Sequence, residues 1–330
     1  MSFLFPSSTI TFDAAMRDLA QGSPKARAMA AHALGDVTEP AEKRRALDAL
    51  IRALDDDRME VRAEACASIG DLGDAGGIPY LIKKLDDGTA PVRQNAAIAL
   101  GTIGHADGFQ PLADALADGP ADLRFQAATS LAEIDGARAF DVLVTALADR
   151  DAQVAAAAAL SLGAIGDVRA IEPLRATLEH REAATRFDVA YALAELHDVS
   201  GRDVLVAGLA DDERAWDAVT ALGNLSSLDD VEALGRALIN KKTPAEATVL
   251  AAGAVLRIAP DSKHGDAARR VLLAALAARK THVRGLSVEQ LGLVGGAWAK
   301  APLEKLARSG KGADLIETIA TSLRQIEERP

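Results

Sequence analysis

A ten-residue frame returns along this chain at a fixed interval. Val61-Arg62-Ala63-Glu64-Ala65-Cys66-Ala67-Ser68-Ile69-Gly70 is answered by Val92-Arg93-Gln94-Asn95-Ala96-Ala97-Ile98-Ala99-Leu100-Gly101. It returns again at Leu123-Arg124, Val154-Ala155 and Thr185-Arg186, so that Arg62, Arg93, Arg124, Ala155 and Arg186 stand 31 residues apart. Upstream, Arg27 with Leu34-Gly35 starts the same frame. Downstream, Ala215 with Leu222-Gly223 and Val283-Arg284 with Leu291-Gly292 continue it, while the copy around Thr248 is degenerate. A period of this size marks a stack of supersecondary units. Each unit is too small to bury its own apolar face and must cover it with its neighbours.

Each unit reads as two helices. In the first, Val92, Ala96, Ala99, Leu100 and Ile103 form a stripe of helical period. The acidic turn Asp86-Asp87-Gly88 before it supplies capping groups and charge suited to a helix N-terminus. Gly101 and Gly104 are expected to close it. The second helix is shorter, as in Ile171-Glu172-Pro173-Leu174-Arg175-Ala176-Thr177-Leu178, with a proline near its start where a missing N–H costs little. Phe12 to Ala20 matches a second helix lacking its partner, and Ala313 to Ile326 matches a closing first helix. The expected fold is therefore all-α: a right-handed α-solenoid of about nine antiparallel helix pairs between two half-units. A single solenoid is expected over 1–330, with a tail and capping helix at 1–23, helix-pair repeats at 24–310 and a capping helix at 311–330.

Composition agrees with close-packed helices. Hydrophobic residues make up 49% of the 330, yet only 3% are aromatic, and Ala, Leu, Val and Ile carry the apolar content. Large sheets draw on aromatic surface that is scarce here. The 37 basic and 48 acidic residues sum to −11, which argues against a general nucleic-acid coat or a polybasic membrane surface. Cys66 is the only cysteine, so an intramolecular disulfide and a cysteine-rich zinc site are both ruled out. No apolar run approaches the roughly 20 residues of a membrane helix, and the N-terminus lacks the pattern of a signal peptide. A soluble protein of the bacterial cytoplasm is expected.

The motif Val-Arg-x-x-Ala-Ala-x-Ala-Leu-Gly-x-Ile-Gly, almost intact at 92–104, resembles the HEAT repeats of the bacterial and archaeal type first recognised in phycobilin lyase subunits. The resemblance covers essentially the whole chain. It implies the solenoid fold and an arginine–carboxylate ladder along the stack, for which Asp71, Asp107, Asp135 and Asp167 are candidate partners. It does not fix an activity, because repeats of this type serve scaffolds, lyases, hydroxylases and nucleic-acid enzymes.

Little in the sequence reads as catalytic. His32, His105, His180, His197, His264 and His282 are dispersed, with no i, i+4 pair and no His-Glu dipeptide of the kind that binds iron in deoxyhypusine hydroxylase. His105 and His197 occupy turns where sister units carry Asp167 or Asp71, and a turn role is expected of both. Gly70-Asp71-Leu72-Gly73-Asp74 recurs once per unit as a helix end, not as a phosphate loop. Cys66 stands where sister units carry alanine and is expected to be a core residue with no base to activate it. No catalytic residue, cofactor or metal is expected, and the chain reads as no enzyme.

Function then falls to surfaces. The outward positions of the second helices read Arg52, Lys83, Asp114, Thr145, Ala176, Ala207 and Arg236, and Lys43, Arg44, Arg45, Tyr80 and Lys84 cluster near the start. A concave groove basic at both ends, with Arg269-Arg270 adding to the far one, suits an acidic peptide or helix of a partner protein. Arg44, Arg45, Arg52, Tyr80, Lys83, Lys84 and Arg236 are its candidate contacts; the alternative is a solvated basic face. On the first helices, Phe125, Phe187 and Trp216 fall at the third frame position, directed outward by helical phase. They are candidates for a convex ridge that contacts a partner or a second copy of the chain, a homodimer. The alternative is that each ring folds onto a neighbouring helix. Phe3-Leu4-Phe5 forms an apolar cluster expected to cover the first half-unit or insert into a partner. The chain thus reads as a non-enzymatic interaction scaffold or adaptor, with no nucleic acid bound and no membrane insertion. A lyase-like or chaperone-like accessory protein is the alternative, and a HEAT-type DNA glycosylase is disfavoured by the charge.

Overall fold

The computed structural model describes residues 10–179 and 183–329 of the chain, so Phe3-Leu4-Phe5 and His180 lie outside the described residues. The chain divides into two compact units, Met1–Thr177 and Leu178–Pro330. The described residues contain α-helices and short 3-10 turns and no strand.

The first unit begins with α1 (Phe12–Gln21), α2 (Pro24–Gly35), α3 (Pro40–Ala53), α4 (Met59–Leu72) and α5 (Ile78–Lys84). It continues with α6 (Ala90–Ile103), α7 (Phe109–Asp118), α8 (Ala121–Ala146), α9 (Ala152–Ile165) and α10 (Ile171–Thr177). The second unit holds α11 (Ala183–Glu195), α12 (Arg202–Gly208), α13 (Ala215–Leu225), α14 (Val231–Ala237) and α15 (Ala245–Ile258). It ends with α16 (Gly265–Ala275), α17 (Thr281–Val294), α18 (Ala297–Ala307) and α19 (Ile316–Glu328). In each unit successive first helices pack on one another, α2 on α4 on α6 on α8 on α9 in one, and α11 on α13 on α15 on α17 on α19 in the other. The second helices flank them, giving α-solenoid stacks with α1 and α19 as unpaired helices at the two ends of the described chain.

Local chemistry accounts for the pair. In α6, Pro91 occupies the first turn, Val92, Ala96, Ala97, Ala99 and Leu100 are buried, and Gly104 ends the helix at φ 68°. Gly73 and Gly166 do the same at φ 66° and 75°, the left-handed geometry that only glycine takes without cost. Gly101 has another task. It lies inside α6, and a Cβ there would come within 2.8 Å of the Ser130 Cβ on α8. Gly35 and Gly70 meet the backbone of Ser68 and Ala99 in the same way, so these frame glycines let adjacent first helices approach backbone to backbone, and only the later glycine is the cap.

Two departures from the frame matter. In α8 the sequence Ile134-Asp135-Gly136 transposes the Ile165-Gly166-Asp167 of the next unit, and the left-handed turn is lost. Asp135 instead breaks the helix at φ −161°, ψ 93°, so one element holds both helices of that pair. His197 sits at φ 58° and Ser226 at φ 51°, both at the position where a left-handed glycine caps α4, α6 and α9. His105 takes the turn role expected of it, accepting from the Asp107 N–H at 3.3 Å, whereas His197 replaces the capping glycine and not an aspartate.

The arginine ladder exists, but with other partners. Arg62 donates Nε and Nη2 to the two oxygens of Asp87 at 2.9 and 3.0 Å, and its Nη1 to the Asp56 carbonyl at 3.0 Å. Arg124 repeats this on Asp149 at 2.8 and 2.8 Å and on the Gly119 carbonyl at 2.9 Å. Arg93 joins Asp122 at 2.9 Å to the Asp87 carbonyl, and Arg27 reaches Asp56 and Asp57 at 2.7 and 2.6 Å. Each arginine thus staples the turn before its own helix to the turn before the next first helix. Asp71 and Asp135 lie near the C-terminal ends of first helices and Asp107 and Asp167 in the turns that follow, the wrong end of the first helix for a staple. Asp107, Asp135 and Asp167 serve there with His105, the Arg138 N–H and Arg169.

Candidate functional site

The second helices expose the positions expected of them. Arg52, Lys83, Asp114, Thr145 and Ala176 in the first unit, and Ala207 and Arg236 in the second, are all exposed. Their cations differ in availability. Lys84 is spent on Asp55 at 2.9 Å, with its side chain only 17% exposed. Arg45 lies over the Phe12 ring, 4.8 Å from its centroid, and 3.8 Å from Asp13. Lys83 stands 5.7 Å from the exposed Tyr80 ring, a cation–π pair at the surface. Arg236 reaches Glu232 at 3.4 Å, and Arg269 holds Asp266 at 2.9 Å. Arg44 and Arg52 are exposed, and among the described residues neither has an ionic or hydrogen-bonded partner. Among the candidate contacts of the first unit, Arg44, Arg52 and Lys83 are therefore the cations without an ionic or hydrogen-bonded partner among the described residues.

The third frame position does not make one ridge. Phe125 and Trp216 are exposed, at 39% and 43%, but Phe187 is buried at 4%. Its ring is sealed from above by the Arg214 guanidinium, 4.9 Å from the centroid. Below, a Cβ on Gly208 would meet the Phe187 Cε2 at 2.5 Å, so glycine in α12 makes the space the ring fills. Helical phase gives only the direction in which a side chain leaves its own helix. A long side chain next to a glycine on the flanking helix turns inward and buries its apolar area.

Two further rings carry an arginine from the following repeat. Arg138 lies 4.0 Å from the Phe109 centroid and Arg169 lies 4.2 Å from that of Phe140, the two pairs being 31 residues apart. The frame shows this repetition only once Phe109 and Phe140 are aligned with each other. On the first-helix side, α8 and α9 enclose a crevice of about 730 Å³ floored by Ala132, Gly136, Ala137 and Ala164 beside the exposed Leu160.

The titratable groups are drawn into structure. Burial pushes the Asp87 carboxyl up, but hydrogen bonds from Arg62 and Thr89 outweigh it and hold the group at about 2. Hydrogen bonds from His264 and Lys263 hold Glu232 at about 2, and those from His282 and the backbone do the same for Glu246. His32 meets Glu64 at 2.8 Å across adjacent first helices. Cys66 is fully buried, which pushes its thiol up to about 12. Asp230 is fully buried against Arg202 at 2.8 Å, and burial raises its carboxyl above the ordinary range. Among the described residues, no group of three or more His, Cys, Asp or Glu side chains could hold a metal ion, and no helix is long and apolar enough to cross a membrane.

The comparisons follow the repeat. The family model described as HEAT repeats matches residues 14–91, 78–160 and 140–223. Importin beta is similar in structure, with 15% identity and a TM-score of 0.54, over 97% of this chain and 50% of that one. The CpcE–CpcF complex of phycocyanin lyase from a Nostoc species has 25% identity and a TM-score of 0.41, over 81% of this chain and 96% of that one. An engineered protein has 21% identity and a TM-score of 0.46, over 97% and 99%. Among curated proteins, none matches the chain.

Proposed function

This chain belongs to the HEAT-repeat family, and from that premise we propose that it is a non-enzymatic scaffold whose second-helix faces hold a segment of a partner protein. The observation that carries the proposal is the set of exposed cations on those faces, Arg44, Arg52 and Lys83, in a chain whose net charge is −11. Elsewhere in the first unit the acidic turns are occupied by the staples, with Asp56, Asp87 and Asp149 tied to Arg27, Arg62 and Arg124. The small neighbours Thr145 and Ala176 let a backbone approach, and rim cations steer and orient carboxylates more than they add raw affinity. The non-enzymatic part of the proposal rests on how reactive groups are used. The Cys66 thiol is raised and buried, and His32, His264 and His282 are each paired with a glutamate.

Charge reversal tests the proposal. Arg44→Glu with Lys83→Glu is expected to abolish capture of the main partner in a pull-down from the native cell, with the helical content of the protein unchanged. Capture at the level of the unaltered chain would overturn the role of this face.

A further inference from the structure

The second unit contains a groove of about 540 Å³ between α16 and α18, its last two second helices. Leu273, Leu276, Ala301 and Pro302 line its apolar part, and Lys305 and Lys311 stand beside them. Both lysines are exposed, and neither has an ionic or hydrogen-bonded partner among the described residues. Their neighbours are different. Arg308 reaches Glu304 at 3.4 Å, Arg269 reaches Asp266 at 2.9 Å, and Lys300 reaches Glu327 at 3.6 Å. Arg270, one helical turn before Leu273, is a third exposed cation without a partner among the described residues.

The origin of the groove is in the packing. The first helices α15, α17 and α19 pack directly on one another, whereas α16 and α18 leave a trough between them where Ala301 on α18 and Ala277 just after α16 are too short to fill it. The trough is open to solvent along one side, which suits a chain segment better than an enclosed small ligand, whose surface a pocket must largely cover. An apolar side chain laid on Leu273, Leu276 and Pro302 would remove apolar surface from water on both partners. Ammonium groups at the edge of such a trough keep most of their hydration and favour carboxylates at the rim.

We propose that this groove seats an acidic amphipathic helix of a partner protein, with a large apolar side chain on the floor and carboxylates one turn away on Lys305 and Lys311. The proposal rests on the scaffold function above and adds to it a second seat with a defined chemistry. A helix presents residues three and four positions apart on one face, so the recognised pattern is a large apolar residue with Asp or Glu at that spacing.

The test is selection of binders to the full chain from a displayed library of short amphipathic helical peptides. Enriched peptides are expected to carry that pattern. Lys305→Glu with Lys311→Glu should weaken them about tenfold or more, and Ala301→Trp, which fills the trough, should do the same. Circular dichroism melts report whether either variant unfolds, and Lys305→Gln with Lys311→Gln gives an intermediate loss if the charges act directly. Arg44→Glu with Lys83→Glu should leave these peptides bound within about twofold. Enrichment of basic or neutral peptides, indifference of acidic ones to Lys305 and Lys311, or no enrichment would overturn the seat. Loss only in the Arg44 and Lys83 variant would uphold the scaffold and overturn this groove. Sedimentation that shows a dimer dissolved by Ala301→Trp would make a second copy the occupant and overturn the proposal as well.

Discussion

Arg124 closes on both oxygens of Asp149 at 2.8 Å, with the two side chains only 4% and 12% exposed. Its third donor holds the Gly119 carbonyl, so one guanidinium spans two inter-repeat turns. Arg124→Ala leaves Asp149 buried without its partner, and unfolding in urea is expected to show a loss of about 3–5 kcal/mol. Arg124→Lys should recover only part of it, because a single ammonium cannot make the two-pronged contact.

Asp87 provides the acid dependence. Its carboxyl titrates at about 2 in the folded chain against an ordinary value of 3.8. A depressed group stabilises the fold above its unfolded value, and that stabilisation is lost as pH falls from about 4 towards about 2. Asp87→Asn is expected to lower stability at pH 7 and to flatten the acid limb of a denaturation-against-pH curve. An acid limb of unchanged steepness would show that the Arg62–Asp87 pair does not contribute.

Phe187 and Trp216 occupy the same frame position and should differ sharply. Phe187→Ala empties a site between Arg214 and Gly208 and is expected to cost about 3–5 kcal/mol in a chemical melt. Trp216→Ala and Phe125→Ala remove exposed rings and should each stay within about 1 kcal/mol of the unaltered chain.

His197 holds a left-handed backbone at φ 58° where sister repeats use glycine. His197→Gly relieves that conformation and is expected to raise the thermal midpoint, by about 0.5–1 kcal/mol of stability. A lower midpoint would mean that contacts of the imidazole outweigh the backbone cost.

The repeat, the nine helix pairs among the described residues and the end helices α1 and α19 follow from the order of residues along the chain, because each helix is specified by neighbours three and four positions away. The apolar stripe of α6 and the proline early in α10 are legible for that reason. The Leu-Gly of the frame is legible as a repeated feature, though its cause is not. Only the packing of one repeat on the next shows that Gly101 admits Ser130, since that contact joins residues 29 apart. The staple partners were hidden in the same way. Aspartates occur at both ends of α4, α6, α8 and α9, and it is the stacking of repeats that brings Asp87 to Arg62 and leaves Asp71 away from it. Phe187 turned inward because Gly208 stands beside it on another helix. Lys305 and Lys311 gained their meaning from the gap between α16 and α18, which no periodicity records. The sequence determined what each unit is, through local pattern. The tertiary structure decided what each side chain meets, because the offset between stacked units is set by the packing of all their contacts together.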